Sequence, residues 1–139
     1  MRVWHSESEA ATREIGRRLA EELLPDRALL LTGDLGAGKT VLVAGLAEGL
    51  GIAAGEIQSP TFTLMREHVG RGHRLLHFDL YRLEPEDVEA AGFEEALLGP
   101  GVKAVEWAER LPFDVPDALR LRLIQRDGRR ELVEIVDGN

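Results

Sequence analysis

The sequence predicts an α/β fold: one three-layer domain spanning residues 1–139, with a mixed, mainly parallel central sheet and antiparallel hairpins at the sheet edges. Three observations support this prediction. Amphipathic helical segments alternate with a short apolar run early in the chain, hairpin patterns dominate later, and a glycine-rich loop follows the first buried strand.

The first fifty residues have a helix, strand, helix pattern. Ser6 followed by Glu9 predicts a capping box, and the helix that follows is expected to end before Pro25. Residues 28–31 predict a short buried strand, and a second helix begins at Lys39. The two helices repeat apolar residues at every fourth position: Ile15, Leu19 and Leu23 in the first, and Leu42, Leu46 and Leu50 in the second.

The remainder of the chain predicts two hairpins separated by short helices and a strand. The second hairpin has the strong turn signal Asp127-Gly128. The predicted segments are 62–69 and 74–81 for the first hairpin, 85–91 and 93–98 for the helices, 102–106 for the strand, and 119–125 and 131–136 for the second hairpin. We expect a ligand to bind beyond the C-terminal end of the first core strand.

Composition narrows the classes of function. The chain has 139 residues and no cysteine. Its net charge of −8 argues against direct, charge-driven binding to nucleic acid. Thiolate metal sites and disulfides are excluded. No signal-peptide core or membrane-length apolar stretch occurs, so a cytoplasmic location is expected.

A phosphate-binding loop is the most informative motif. The pattern G-x-x-x-x-G-K-[ST] is matched at every fixed position, where converging backbone N–H groups meet phosphate oxygens at a helix N-terminus. Its lysine supplies a charge to the outer phosphates, and its threonine hydroxyl suits Mg²⁺. The loop consists of Gly33, Asp34, Leu35, Gly36, Ala37, Gly38, Lys39 and Thr40.

Two carboxylates follow apolar strand patterns and are candidates for the acid that ATP hydrolysis requires. These are Asp79 and Glu106; the alternative for each is a structural pair with an arginine. Residues 59–63 place hydroxyls around a proline and suit a switch that senses a γ-phosphate. A zinc site using His73 and His77 is a weaker alternative, since no further ligand is evident.

The motifs taken together resemble the bacterial TsaE (YjeE) family. The chain contains, in order, the phosphate loop at 33–40, S-P-T-F-T-L at 59–64, H-F-D-L-Y-R at 77–82 and V-E-W at 105–107. Residues 87–94 are also similar to a family segment. The loop alone names only the P-loop NTPase superfamily, whereas the set of motifs is specific to the family.

The resemblance implies a small ATPase that acts with the TsaD and TsaB proteins to make N6-threonylcarbamoyladenosine at position 37 of tRNA, contacting tRNA only indirectly. It implies ATP or ADP and Mg²⁺ as ligands, with residues 36–41 around the phosphates and Thr40 with Glu106 at the metal. Lys39, Asp79 and Glu106 would be catalytic. Further nucleotide contacts are implied for Glu9, Thr12, Val41 and Trp107. Val41 replaces a common hydroxyl residue, which removes a possible contact to the α-phosphate.

Two other functions remain compatible with the sequence. A small-molecule P-loop kinase would need an arginine-bearing lid, and Arg126, Arg129 and Arg130 lie around the last turn; a solvated, aggregation-resistant edge is the simpler interpretation of these arginines. The second alternative is a nucleotide-gated binding module without useful turnover. A GTPase is disfavoured because no Asn-Lys-x-Asp guanine motif occurs.

Overall fold

A seven-stranded mixed sheet forms the centre of the molecule. The computed structural model describes residues 1–33, 38–53, 55, 57 and 65–136. The strands are β1 (Val3–Ser6), β2 (Ala28–Gly33), β3 (Met65–Gly70), β4 (His73–Asp79), β5 (Val102–Glu106), β6 (Leu119–Arg126) and β7 (Arg129–Ile135). The helices are α1 (Glu9–Leu23), α2 (Lys39–Gly49), α3 (Pro85–Ala90) and α4 (Phe93–Leu98), with a 3₁₀ turn at Ala108–Arg110.

The strand order is β1-β7-β6-β2-β5-β4-β3. The central strand β2 pairs in parallel with β5 and β6, and β4 pairs in parallel with β5. The pairs β3/β4, β6/β7 and β1/β7 are antiparallel. The predicted α/β fold with a parallel centre and antiparallel outer hairpins is therefore confirmed.

Helices cover both faces of this sheet. Successive residues of a strand point to opposite sides, so each central strand contributes side chains to both layers. Leu29 and Leu31 of β2 belong to the cluster that α1 and α2 cover, while Leu30 belongs to the cluster of α3 and α4. Near-continuous apolar strands are typical of sheets buried on both faces. None of the helices in the described part of the chain has the length and apolarity needed to cross a membrane.

The start of α1 differs from the sequence prediction. Ser8, and not Ser6, is the N-cap: its hydroxyl accepts from the backbone N–H of Ala11 at 3.0 Å. Ser6 lies at the end of β1, a strand that the sequence analysis did not predict, and is paired with Arg130 of β7. The predicted capping box of Ser6 and Glu9 is wrong, because Ser6 belongs to β1 and pairs with β7.

The strands β2, β4 and β5 end at one edge of the sheet, and this edge positions the candidate site. Asp79 and Glu106 are register partners at the ends of β4 and β5. The predicted position of both acids at strand ends is confirmed. The α2 helix begins at the same edge, at Lys39. The predicted switch at 59–63 lies outside the described residues.

Candidate nucleotide site

A cavity of about 290 Å³ lies where β4 and β5 end and α2 begins. It brings together eight of the residues that the sequence analysis assigned to nucleotide binding, metal binding or catalysis. These residues and the further lining residues are Glu9, Gly38, Lys39, Thr40, Val41, Asp79, Tyr81, Glu106, Trp107 and Arg130.

Lys39 brings an ammonium group to this cavity and is only 5% exposed. Its Nζ donates to the backbone carbonyl of Gly33 at 2.8 Å and lies 3.9 Å from the ring centroid of Trp107. The preceding residue, Gly38, has φ of 99°, a left-handed conformation that glycine adopts without strain. The backbone therefore turns into α2 at Gly38 and directs the Lys39 side chain into the cavity.

Thr40 and Glu106 face each other across the cavity. The Thr40 hydroxyl donates to the Glu106 carboxylate, with Oγ1 at 2.9 Å from Oε1 and 3.0 Å from Oε2. Glu106 is 3% exposed, although it ends a strand beside a cavity. A hydroxyl and a carboxylate are hard oxygen donors of the kind that Mg²⁺ takes, so these two residues fit a magnesium site.

His77 is a site residue whose contact the sequence analysis missed. Its Nε2 lies 2.6 Å from Glu106 Oε2, and the His77 side chain is fully buried. An ionised carboxylate only accepts, so Nε2–H is the donor in this contact. The signal was available in part, since strand alternation places His77 on the same face of β4 as Asp79.

Within the described ranges, no three histidine, aspartate or glutamate side chains gather as a metal site. The zinc alternative with His73 and His77 therefore gains no support. Asp79, 8% exposed, instead accepts from the backbone N–H of Tyr81 at 3.0 Å. This contact fixes the Asp79 carboxylate at the cavity wall next to Glu106.

Trp107 forms a wall of the cavity directly after β5. Its φ is 62°, an uncommon left-handed value for a bulky residue, and its ring packs against Tyr81 at a centroid distance of 4.9 Å. Trp107 also lines a larger cavity of about 680 Å³ together with Gly33 and Arg122. Lys39, Thr40 and the two acids all line the smaller cavity, so the smaller cavity is the candidate phosphate site.

Two predicted contacts differ in their placement. Glu9, the first residue of α1, lines the cavity, but Thr12 does not. Thr12 is fully buried, and its hydroxyl contacts Ser6 Oγ at 2.7 Å and the Ser8 carbonyl at 3.2 Å. The structure thus gives Thr12 a role in joining β1 to α1. Asp34, Leu35, Gly36 and Ala37 lie outside the described residues.

Most of β7 is not a sheet edge, because β1 pairs outside it from Arg130 to Val133. Arg129 and Glu7 form an exposed contact, with Nε and Oε1 3.4 Å apart. Arg130, in contrast, lines the cavity. The interpretation of this hairpin as an aggregation guard is therefore wrong for Arg130.

Sequence comparisons identify relatives of this chain. A family model described as "Threonylcarbamoyl adenosine biosynthesis protein TsaE" matches residues 6–132. Two relatives named tRNA threonylcarbamoyladenosine biosynthesis protein TsaE are similar along most of the chain. The relative from Nostoc sp. is 41% identical, covering 93% of this chain and 82% of the relative, and that from Bacillus subtilis is 38% identical, covering 98% and 86%.

A solved structure is similar in fold as well as in sequence. The crystal structure of YdiB from Bacillus subtilis superposes with a TM-score of 0.74 at 33% identity, covering 99% of this chain and 86% of that one. The family match extends over nearly all of the described elements, from the end of β1 into β7. This chain belongs to the TsaE family of threonylcarbamoyladenosine biosynthesis proteins.

Proposed function

We propose that this protein is a Mg²⁺-dependent ATPase that serves the synthesis of N6-threonylcarbamoyladenosine at position 37 of tRNA, and that TsaD and TsaB are its partners. The observation that carries the proposal is the convergence of Lys39, Thr40 and Glu106 in one cavity. A hydroxyl hydrogen-bonded to a buried strand-end carboxylate, beside a buried lysine, is the donor set that phosphoryl transfer needs.

Each side chain of the site would have a separate role in ATP hydrolysis. Lys39 would exchange its contacts with Gly33 and Trp107 for the outer phosphate oxygens, placing a point charge where negative charge accumulates. Thr40 and Glu106 would hold Mg²⁺, which when bound neutralises charge on the β- and γ-phosphates. Asp79, beside Glu106, is the accessory acid on the same side of the cavity.

The charge of the chain supports an indirect relation to tRNA. A net charge of −8 disfavours binding to a phosphate backbone, since affinity for nucleic acid comes largely from lysine and arginine contacts. We therefore propose that the partner proteins bind the tRNA. The proposed location of this protein is the cytoplasm.

The proposal is tested by measuring ATP hydrolysis by the purified chain alone, with TsaB and TsaD added, and with candidate small-molecule acceptors. We expect turnover to be stimulated by the two proteins together and to require Mg²⁺. Radiolabelled phosphate on a small acceptor would instead identify a kinase. Nucleotide binding without turnover under every condition would identify a gated binding module.

Three variants separate the roles within the site. Lys39→Ala is expected to abolish nucleotide binding, whereas Glu106→Ala is expected to reduce Mg²⁺-dependent turnover far more than ADP affinity. Asp79→Ala is expected to have the smaller effect on turnover. If Glu106→Ala leaves turnover intact and Asp79→Ala destroys it, the two acids exchange roles and our metal assignment is reversed.

A further inference from the structure

Arg130 brings a cation into the candidate nucleotide cavity from an unexpected element. It is the second residue of β7, at the opposite end of the sequence from the phosphate loop. On this strand, Leu132 packs into the cluster that α1 and α2 cover, and Arg130 lies two residues earlier on the same face. The side chain consequently points toward the start of α2, where it lines the cavity with Lys39 and Thr40.

The guanidinium lies against the backbone of Gly38. A Cβ built on Gly38 would lie 3.2 Å from Arg130 Nε, 3.3 Å from Cδ and 3.5 Å from Cζ. Gly38 belongs to the loop segment whose backbone N–H groups surround the α- and β-phosphates in this pattern. Arg130 is therefore placed beside the α,β end of a bound nucleotide, on the backbone of the phosphate cradle.

The Arg130 guanidinium is also incompletely satisfied. Its Nε is buried and has no hydrogen-bond partner among the residues that the structure describes. A buried donor without a partner carries a desolvation cost, and arginine stays charged at all accessible pH values. A phosphate oxygen would satisfy this donor, and the planar fork of arginine suits phosphate geometry.

We propose that Arg130 is a nucleotide-binding residue that donates to the α- or β-phosphate and so closes the phosphate cradle from the side of β7. This inference rests on the proposed nucleotide function. It assigns part of the binding of the α- and β-phosphates to the C-terminal hairpin. Val41 of this chain has no hydroxyl that could bind the α-phosphate. Because the contact does not involve the γ-phosphate, ADP and ATP should depend on it equally.

The chain supplies a matched control in the adjacent residue. Arg129 precedes Arg130 on β7, but its Nε contacts Glu7 Oε1 at 3.4 Å and both side chains are 73% exposed. Arg129→Ala therefore removes the same charge from the same strand outside the cavity. Arg130→Lys keeps the charge and removes the fork, so it separates general attraction from a directed contact.

The test is calorimetric titration of Mg²⁺-ADP, and separately of Mg²⁺ with a non-hydrolysable ATP analogue, into the wild type, Arg130→Ala, Arg130→Lys and Arg129→Ala. The nucleotide-free melting temperature of each variant is the check on folding. We expect Arg130→Ala to weaken ADP binding by about tenfold to a hundredfold, the range for a lost charge-assisted hydrogen bond. Arg130→Lys should recover part of the loss, and Arg129→Ala should bind as the wild type does.

Equal ADP affinity in Arg130→Ala and the wild type would overturn the inference while leaving the proposed function intact. So would equal losses in Arg130→Ala and Arg129→Ala, which would show only a loss of general charge. A loss confined to ATP would place Arg130 at the γ-phosphate and contradict the assignment. Failure of the wild type itself to bind ADP would instead refute the proposed function.

Discussion

At the scale of single residues, both lysines of this chain are buried and both donate to backbone carbonyls. Lys103 Nζ lies 2.5 Å from the Asp26 carbonyl and 2.6 Å from that of Gly99. Burial lowers the pKa of Lys103, against the opposing attraction of Asp26. Several of the fifteen arginines form exposed ion pairs, such as Arg18 with Glu14 and Arg129 with Glu7. The lysine of the phosphate loop stands out in the sequence for a physical reason, because a compact ammonium suits a phosphate cradle.

His77 is expected to position Glu106 for the metal. His77→Leu removes the Nε2–H donor, leaving Glu106 Oε2 without that contact, and should raise the Mg²⁺ concentration needed for half-maximal turnover and for Mg²⁺-dependent ADP binding by about ten- to a hundredfold. His77→Gln retains a side-chain N–H donor and should recover much of the loss. Titration of Mg²⁺ at fixed nucleotide concentration measures both effects.

The control for this prediction is Phe78→Leu. Phe78 is the next residue of β4, equally buried, but it packs into the cluster on the other face of the sheet. The Phe78→Leu variant should be less stable than the wild type but should have the same Mg²⁺ requirement. An unchanged Mg²⁺ requirement in His77→Leu would show that the hydrogen bond to Glu106 is structural only.

At the scale of elements, helix and strand types were predictable wherever local sequence decides them. The apolar repeats of α1 and α2, the run of β5 and the turn at Asp127-Gly128 are all local patterns, and each corresponds to an observed element. The start of α1 was not predictable in the same way. Ser6 and Ser8 both have the chemistry of an N-cap, and the choice between them depends on the pairing of β1 with β7.

The contact between α1 and α2 depends on glycines that leave room for backbone. A Cβ on Gly45 would lie 2.0 Å from the carbonyl oxygen of Arg13, which is backbone and cannot rotate away. We expect Gly45→Ala to destabilise the protein by about 1–3 kcal/mol through overpacking, even though alanine favours a helix by about 1 kcal/mol.

Urea denaturation measures this change, with Gly55→Ala as the matched substitution. A Cβ on Gly55 has no neighbour within 4 Å among the residues that the structure describes, so the same chemical change there should cost little. Equal or greater stability of Gly45→Ala would mean that the two helices separate without penalty, contrary to the packing described for α1 and α2.

At the scale of the whole molecule, the layered α/β architecture was predictable from the sequence, but the pairing of β1 with β7 was not. The pairing of Val3 with Val133 joins residues 130 positions apart, and no local pattern specifies such a pair. The same pairing makes β7 an inner strand, and Arg130 of this strand lines the cavity. The core of the site was predictable because one contiguous motif and two strand ends define it, whereas His77 and Arg130 enter through tertiary contacts.

Arg2, which directly precedes β1, links α1 to β7, and these contacts predict a pH dependence of stability. Its guanidinium contacts Glu22 of α1, with Nη2 and Oε1 2.5 Å apart, and Glu134 of β7, with Nε and Oε1 3.2 Å apart. Hydrogen bonds from Arg2 lower the pKa of both carboxylates below the ordinary value of 4.5. A lowered carboxylate pKa stabilises the fold above the ordinary value, and this stabilisation is lost as pH falls through the lowered pKa.

Arg2→Ala should therefore reduce the free energy of unfolding at pH 7 by about 1 kcal/mol or less, because the ion pairs are partly exposed. The difference from the wild type should shrink as pH falls below 4.5 and both carboxylates become protonated in each protein. Urea denaturation at pH 7 and pH 3 gives the comparison. Arg18→Ala is the control, since Arg18 pairs only with Glu14 in its own helix among the described residues. A wild-type advantage that persists undiminished at pH 3 would contradict this account.

The most direct test of the central claim is a crystal structure of the protein grown with ADP and Mn²⁺, in which anomalous scattering locates the metal. We predict ADP phosphates over the N-terminus of α2 and a Mn²⁺ ion bound directly by the Thr40 hydroxyl, with the Glu106 carboxylate in contact with the ion or with one of its waters. A metal bound through Asp79 with neither Thr40 nor Glu106 in contact, or phosphates bound elsewhere, would contradict the account.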